Sequence, residues 1–227
     1  MKFAKRRLSI CIVFLGLAFS SCFAFNNKDN VIKKIKEAIT SKNEDQLSLA
    51  LKENGKKKYT KKRTYASQAL LLIVSQSKIL EPDYALMDIA LKNGANPNLK
   101  SIIRKVVALE NKAFSGVFDL FLKYKLNPKK IIGRSISKKK VKNLETILKK
   151  VGKEAYEEGI IFSDKALKLV VDQVYFDWRK KIKLDSDYKL MKIALENGAN
   201  PDRLISTIFA LKEEAFSGTL DLFLKYK

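Results

Sequence analysis

The sequence predicts an all-α fold: a solenoid of about six stacked helix pairs, made by tandem duplication of a three-pair unit. Three observations predict it. Tyr84 to Asn98 (YALMDIALKNGANPN) and Tyr188 to Asp202 (YKLMKIALENGANPD) are identical at eleven of fifteen positions. Val107 to Lys125 and Phe209 to Lys227 are identical at thirteen of nineteen. A shift of 97 residues then aligns the weaker parts without a gap, placing Leu47 on Leu144, Gly55 on Gly152, Tyr59 on Tyr156 and Leu70 on Leu167. Repetition on this scale means that one supersecondary unit is stacked to bury faces that no single copy can bury alone.

The chain opens with an export signal. Lys2, Lys5, Arg6 and Arg7 precede an apolar run from Leu8 to Phe19, followed by Ser20 and Ser21. This is the three-part pattern of a secretory signal peptide, and the run is short of the roughly 20 apolar residues of a membrane span. Two cleavage points compete. Phe19-Ser20-Ser21-Cys22 resembles a bacterial lipobox, which implies a signal peptide over 1–21 and a lipid on Cys22. Ordinary cleavage after Ala24 gives a signal over 1–24 instead. Residues 22–30 read as a polar linker, 31–128 as the first unit, and 129–227 as the second, which lacks a terminal cap.

Each unit contains three pairs by helical spacing of apolar residues. The first pairs Val31–Ile39 with Glu44–Asn54, Ser67–Ser75 with Asp83–Asn93, and Lys100–Glu110 with Gly116–Lys125. The second pairs Lys130–Ser137 with Val141–Val151, Asp164–Phe176 with Ser186–Asn197, and Leu204–Glu213 with Gly218–Lys227. Gly94 and Gly198 sit where a helix end takes a left-handed residue. Asn96-Pro97 and Asn200-Pro201 follow as turns that block continuation. Ser115-Gly116 and Ser217-Gly218 read as tight turns between helices. No period-two alternation bounded by turns occurs, so little or no sheet is expected.

A helix ending in Leu-x-x-Gly-Ala-Asn-Pro resembles the second helix of an ankyrin repeat and the turn after it. The Thr-Pro-Leu-His signature of the first ankyrin helix is absent, so the resemblance extends to helix stacking and not to regular hairpin fingers. It implies a binding scaffold that uses first helices and loop tips. The matching positions are Lys100, Arg104, Lys105 and Arg203.

Composition narrows the chemistry. Histidine is absent, which removes the usual general base and the commonest metal ligand. The two cysteines, Cys11 and Cys22, both precede residue 25. No carboxylate spacing suggests acid–base work. No catalytic residue, metal or cofactor is therefore assigned. The net charge is +22, and removal of the four basic residues of 1–21 leaves +18. Lysine supplies 39 of the 46 cations, a bias against nucleic-acid readout, which favours arginine. The partner implied is a protein at the cell envelope, with an anionic surface as the alternative. One insertion, Val174–Lys183, is absent from the first unit. It places Tyr175, Trp178 and Arg179 together, aromatic and cationic types that recur at binding hot spots; the same rings could instead pack against a neighbouring helix. The basic loop Lys56–Arg63 reverses charge at Lys153–Glu158 and reads as solvated.

Overall fold

A computed structural model describes residues 28–77, 81–209, 211 and 213–226. The signal segment and Cys22 lie outside the described residues. The described chain is mostly helical, with two small hairpins, and no described helix is long and apolar enough to cross a membrane.

The elements follow the duplication closely. Helix α1 covers residues 28–40, and α2 covers Glu44–Asn54. Strands β1 (Lys58–Thr60) and β2 (Arg63–Thr64) lead into α3 (Tyr65–Gln76) and α4 (Tyr84–Lys92). Next come α5 (Lys100–Val106), α6 (Asn111–Lys123), α7 (Pro128–Ser137) and α8 (Val141–Val151). Strands β3 (Ala155–Glu157) and β4 (Ile160–Ile161) precede α9 (Phe162–Arg179) and α10 (Asp185–Glu196). A 3-10 turn at Pro201–Leu204, α11 (Ile205–Ile208) and α12 (Glu213–Lys225) complete the described chain. A shift of 97 carries the bounds of α2, β1 and β2 onto those of α8, β3 and β4, and Tyr65 onto Phe162.

The hairpins are the elements that sequence reading took for loops. Lys58 pairs Thr64 and Thr60 pairs Arg63; Ala155 pairs Ile161 and Glu157 pairs Ile160. Strands this short hold too few residues for a sequence alternation to show; β1 and β3 each turn only their central tyrosine inward. That ring is the anchor. Tyr59 packs on Tyr65 at 5.4 Å between centroids, and Tyr156 on Phe162 at 5.5 Å. Backbone bonds close the open end: Tyr65 N–H to Lys57 O and Phe162 N–H to Glu154 O, both 3.1 Å.

Helix ends share one device. Gly94 and Gly198 adopt φ of 90° and 92°, the left-handed conformation their spacing predicts. The next amide then reaches back five residues, Ala95 N–H to Ala90 O (3.0 Å) and Ala199 N–H to Ala194 O (3.1 Å). The same bond recurs from Asn43 to Ala38, Leu126 to Phe121, Lys140 to Ser135 and Ile182 to Asp177. In those four the left-handed residue is a lysine: Lys42, Lys125, Lys139 and Lys181. Asn96 and Asn200 lead into Pro97 and Pro201, both buried, and the Asn200 side chain accepts from Asp202 N–H at 2.9 Å.

The chain forms two compact units. The first comprises Met1–Ile73 with Asp83–Asn96; the second comprises Val74–Pro82 with Pro97–Lys227. In the first, α2 packs on α4 around Ile35, Leu47, Leu51, Leu70, Leu86 and Met87, all fully or nearly fully buried. In the second, α9 is the central helix, packed on α7 and α10, while α8 contacts α6, α7 and α10. Its core includes Phe114, Phe118, Phe121, Ile131, Leu144, Leu167, Val171 and Met191. The pair α5 and α6, which belongs to the first sequence copy, lies in this second compact unit.

Two assigned turns are corrected. Gly116 lies inside α6 and Gly218 inside α12. The break comes earlier, at Val107–Glu110, because Phe114, Val117, Phe118 and Phe121 form one buried stripe that requires helix on both sides of Gly116. Gly218 serves close approach instead. A Cβ there would sit 2.6 Å from the Tyr188 hydroxyl and 2.7 Å from its ring. In an open helix, Gly to Ala stabilises by about 0.5–1 kcal/mol. Here Gly218→Ala is expected to destabilise by about 1–3 kcal/mol through overpacking, read by denaturant unfolding. A gain in stability would contradict the Tyr188 contact.

Candidate functional site

The second copy departs from the first most strongly at α9. Tyr65 to Phe162 spans 97 positions, but Tyr84 to Tyr188 spans 104, so the second copy gains seven residues in between. They lengthen α9 to 18 residues against the 12 of α3. Leu167, Val170, Val171, Val174 and Asp177 continue one buried stripe at helical spacing. The opposite side of the extension faces solvent. Tyr175 is 40% exposed, Phe176 50% and Ile182 45%, while Trp178 is half-buried. The Arg179 guanidinium lies 5.8 Å from the Tyr175 ring centre, and the Lys180 ammonium 4.1 Å from that of Phe176. The expected trio Tyr175, Trp178 and Arg179 is thus joined by Phe176 and Lys180, with Trp178 the least exposed aromatic of the group.

The buried side of the extension carries charge. Asp177 is 2% exposed and Asp187, on α10, is fully buried. Lys139, at the end of α7, spans both carboxylates at 2.7 and 3.0 Å. Gln173 donates to the other Asp177 oxygen at 2.8 Å. Among the described residues no hydrogen-bond donor meets the second Asp187 oxygen. One ammonium cannot offset the desolvation of two carboxylates. Burial pushes the Asp187 carboxyl above its usual range, only partly opposed by Lys139 and reinforced by Asp177. Burial pulls Lys139 down, but its bonds to Asp177 and Asp187 outweigh that and raise it. The ammonium stands where a cation bridging the two carboxylates would stand. Among the described residues no set of ligands is arranged for a metal ion.

Arg203 belongs to a different place. It lines a cleft of about 300 Å³ together with Tyr156, Ile160, Lys165, Lys168 and Leu204. Its Nε lies 3.6 Å from Asp164 Oδ2. The Lys129 and Lys165 ammonium groups lie 4.9 and 5.6 Å from the Tyr156 ring centre. The Tyr156 hydroxyl beside Lys129 raises that lysine above its ordinary range. Lys100, Arg104 and Lys105 are the other positions that the ankyrin resemblance implies. They lie along α5, with Lys100 and Arg104 exposed and Lys105 half-buried, and α5 contributes nothing to this cleft. The cations around Arg203 come from α7 and α9.

Sequence reading missed Tyr156, Lys165, Lys168, Lys129 and the Lys139–Asp177–Asp187 cluster. The signal was present in the alignment of the two copies. Beside the matched tyrosines Tyr59 and Tyr156, the second copy has Lys165 for Gln68 and Lys168 for Leu71, a change of chemistry within a shared frame.

Removing Lys139 leaves two buried carboxylates facing one another. Lys139→Met is expected to cost about 3–5 kcal/mol, whereas Lys42→Met, at the equivalent exposed position of the first copy, should stay within about 0.5 kcal/mol. The pH dependence has a definite sign. Asp187 binds its proton more tightly folded than unfolded, so its contribution to stability falls as pH rises from 3.8 through the raised folded value. Asp187→Asn should therefore gain stability relative to the wild type over that window, in denaturant titrations at stepped pH; a constant difference would contradict the assignment. No family model matches the sequence, and neither the curated proteins nor the solved structures contain a match to it.

Proposed function

We propose that this chain is an exported, non-catalytic binding scaffold whose helix pairs stack in the ankyrin manner and hold a protein partner at the cell envelope. The observation that carries this reading is the exposed face of α9. Tyr175 and Phe176 stand in solvent with Arg179 and Lys180 against their rings, in a segment that the first copy lacks. A core requirement does not account for it, because Val174 and Asp177 already fill the inward positions. Aromatic residues beside cations bind with large contact area and low entropy loss. Stacking of the ankyrin kind is supported by the Asn-Gly-Ala-Asn-Pro helix ends with their left-handed glycines. Export is supported by the basic start and apolar run of the first 21 residues, and lipid anchoring by the lipobox-like approach to Cys22.

The alternative partner is an anionic surface. It is favoured by the exposed Phe176 and Ile182 flanked by Lys180, Lys181 and Lys183, a pattern of membrane-surface segments, and by the high lysine content.

A photo-crosslinking amino acid at Tyr175 in producing cells separates the two. The protein reading predicts one discrete protein adduct. It also predicts that Phe176→Ala with Arg179→Ala weakens the purified pair by about tenfold or more, while binding persists between about 50 and about 200 mM salt. Adducts only to lipid, with vesicle binding that collapses over the same salt range, would replace it by the surface reading.

A further inference from the structure

The Tyr156 cleft has an internal control. The first copy builds the same frame around Tyr59. Its hairpin has the same register, its ring pair the same spacing, and the helix that follows starts at the equivalent residue. In both copies the side chain at the third position of that helix also receives the amide of the asparagine turn. Ser67 Oγ accepts from Asn96 N–H at 3.0 Å, and Asp164 Oδ1 accepts from Asn200 N–H at 2.8 Å. Whatever differs around the two tyrosines is therefore not demanded by the fold.

Four cations differ. Lys129, Lys165, Lys168 and Arg203 stand where the first copy has Ile32, Gln68, Leu71 and Leu99. Their heads gather around Tyr156 and the cleft it lines. Two carboxylates oppose them, Asp164 and Glu157. Asp164 is engaged by the Ile161 and Asn200 amides as well as by Arg203. In the cleft itself Lys165, Lys168 and Arg203 face Asp164 and Glu157, an excess of one positive charge, with Lys129 beside the Tyr156 ring. Ile160, Leu204 and the Tyr156 ring supply an apolar floor beside that wall. The hairpin changes the other way, Glu154 and Glu158 standing where the first copy has Lys57 and Lys61, but of its acids only Glu157 lines the cleft, so the cations on that wall still repel one another. They become favourable once a multivalent anion fills the space.

The geometry points to a binding site in the Tyr156 cleft for a small phosphate monoester with a planar or apolar body. The phosphate offers three strong acceptor oxygens, one for each of Lys165, Lys168 and Arg203, where a carboxylate offers two. Lys165, Lys168 and Arg203 hold it, and Tyr156 with Ile160 and Leu204 receives the body. Glu157, exposed on the rim, accepts from a hydroxyl or amine of the same ligand. This site is separate from the α9 face of the proposed scaffold, and either can fail without the other.

The test is calorimetric titration of the purified full chain with phenyl phosphate, inorganic phosphate and benzoate. The first copy supplies the variant: Lys165→Gln, Lys168→Leu and Arg203→Leu together, residues this frame already tolerates. Phenyl phosphate is expected to bind more than about tenfold tighter than either comparison ligand. The triple exchange should weaken it by about tenfold or more with the melting temperature unchanged. Benzoate or inorganic phosphate binding as tightly as phenyl phosphate would overturn the ligand class. An intact triple variant that binds equally well, or no binding by the wild type, would overturn the site. Vesicles containing phosphatidic acid form the last arm; binding to them without binding of phenyl phosphate would overturn a soluble ligand. Should the triple variant lose stability, Tyr156→Phe with Lys165→Gln repeats the comparison.

Discussion

One short contact sets the geometry of each copy: the side chain three residues into the helix after the hairpin, accepting the amide of the asparagine turn. It ties the start of one helix to the turn after its partner, so the two helices cannot slide. It also holds the hairpin, whose open end is closed on the same first turn. The first copy uses a buried serine and the second an aspartate. A bond to a charged acceptor contributes about 1.5–3 kcal/mol against about 1 for a neutral one. The aspartate moreover serves two amides and an arginine at once. The second copy therefore has the more firmly tied turn, and it is that turn which carries Arg203.

The lengthened α9 shows how the second copy absorbed seven residues without losing its core. Two further turns of helix were added along the existing apolar stripe, so Val174 entered the interior as another apolar contact. The next inward position is Asp177, where leucine would have been simpler. Its charge is met by Lys139, a residue already present as Lys42 in the first copy but solvent-exposed there. Such a buried cluster adds little net stability. Its three charges, from the end of α7, from α9 and from α10, meet where those helices pack.

Much of the fold was legible because the chain contains its own alignment. The exact 97-residue register of α2, the hairpin and the start of α9 follows from apolar residues and glycines matched in sequence. Three things were not legible, each for a physical reason. Hairpins with two paired positions are too short for an alternation to be detected. Helix ends that use Lys42, Lys125, Lys139 and Lys181 in the left-handed conformation carry no glycine to mark them. Gly116 and Gly218 imitate turn residues, yet the phenylalanine stripe on either side of Gly116 and the Tyr188 ring against Gly218 place them inside helices. For the site, the exposed aromatic insertion was visible as composition. The cluster around Tyr156 was not, since its cations are drawn from α7, α9 and the 3-10 turn, more than 70 residues apart at the extremes.

Both copies share one frame, held by the bond to the asparagine turn. Amide hydrogen exchange of Asn96 and Asn200 tests it most directly. Both amides are expected to be protected in the wild type. Ser67→Ala should release Asn96 alone and Asp164→Ala should release Asn200 alone, with the larger loss of protection in the second. Fast exchange of both amides in the wild type, or protection indifferent to either substitution, would contradict it.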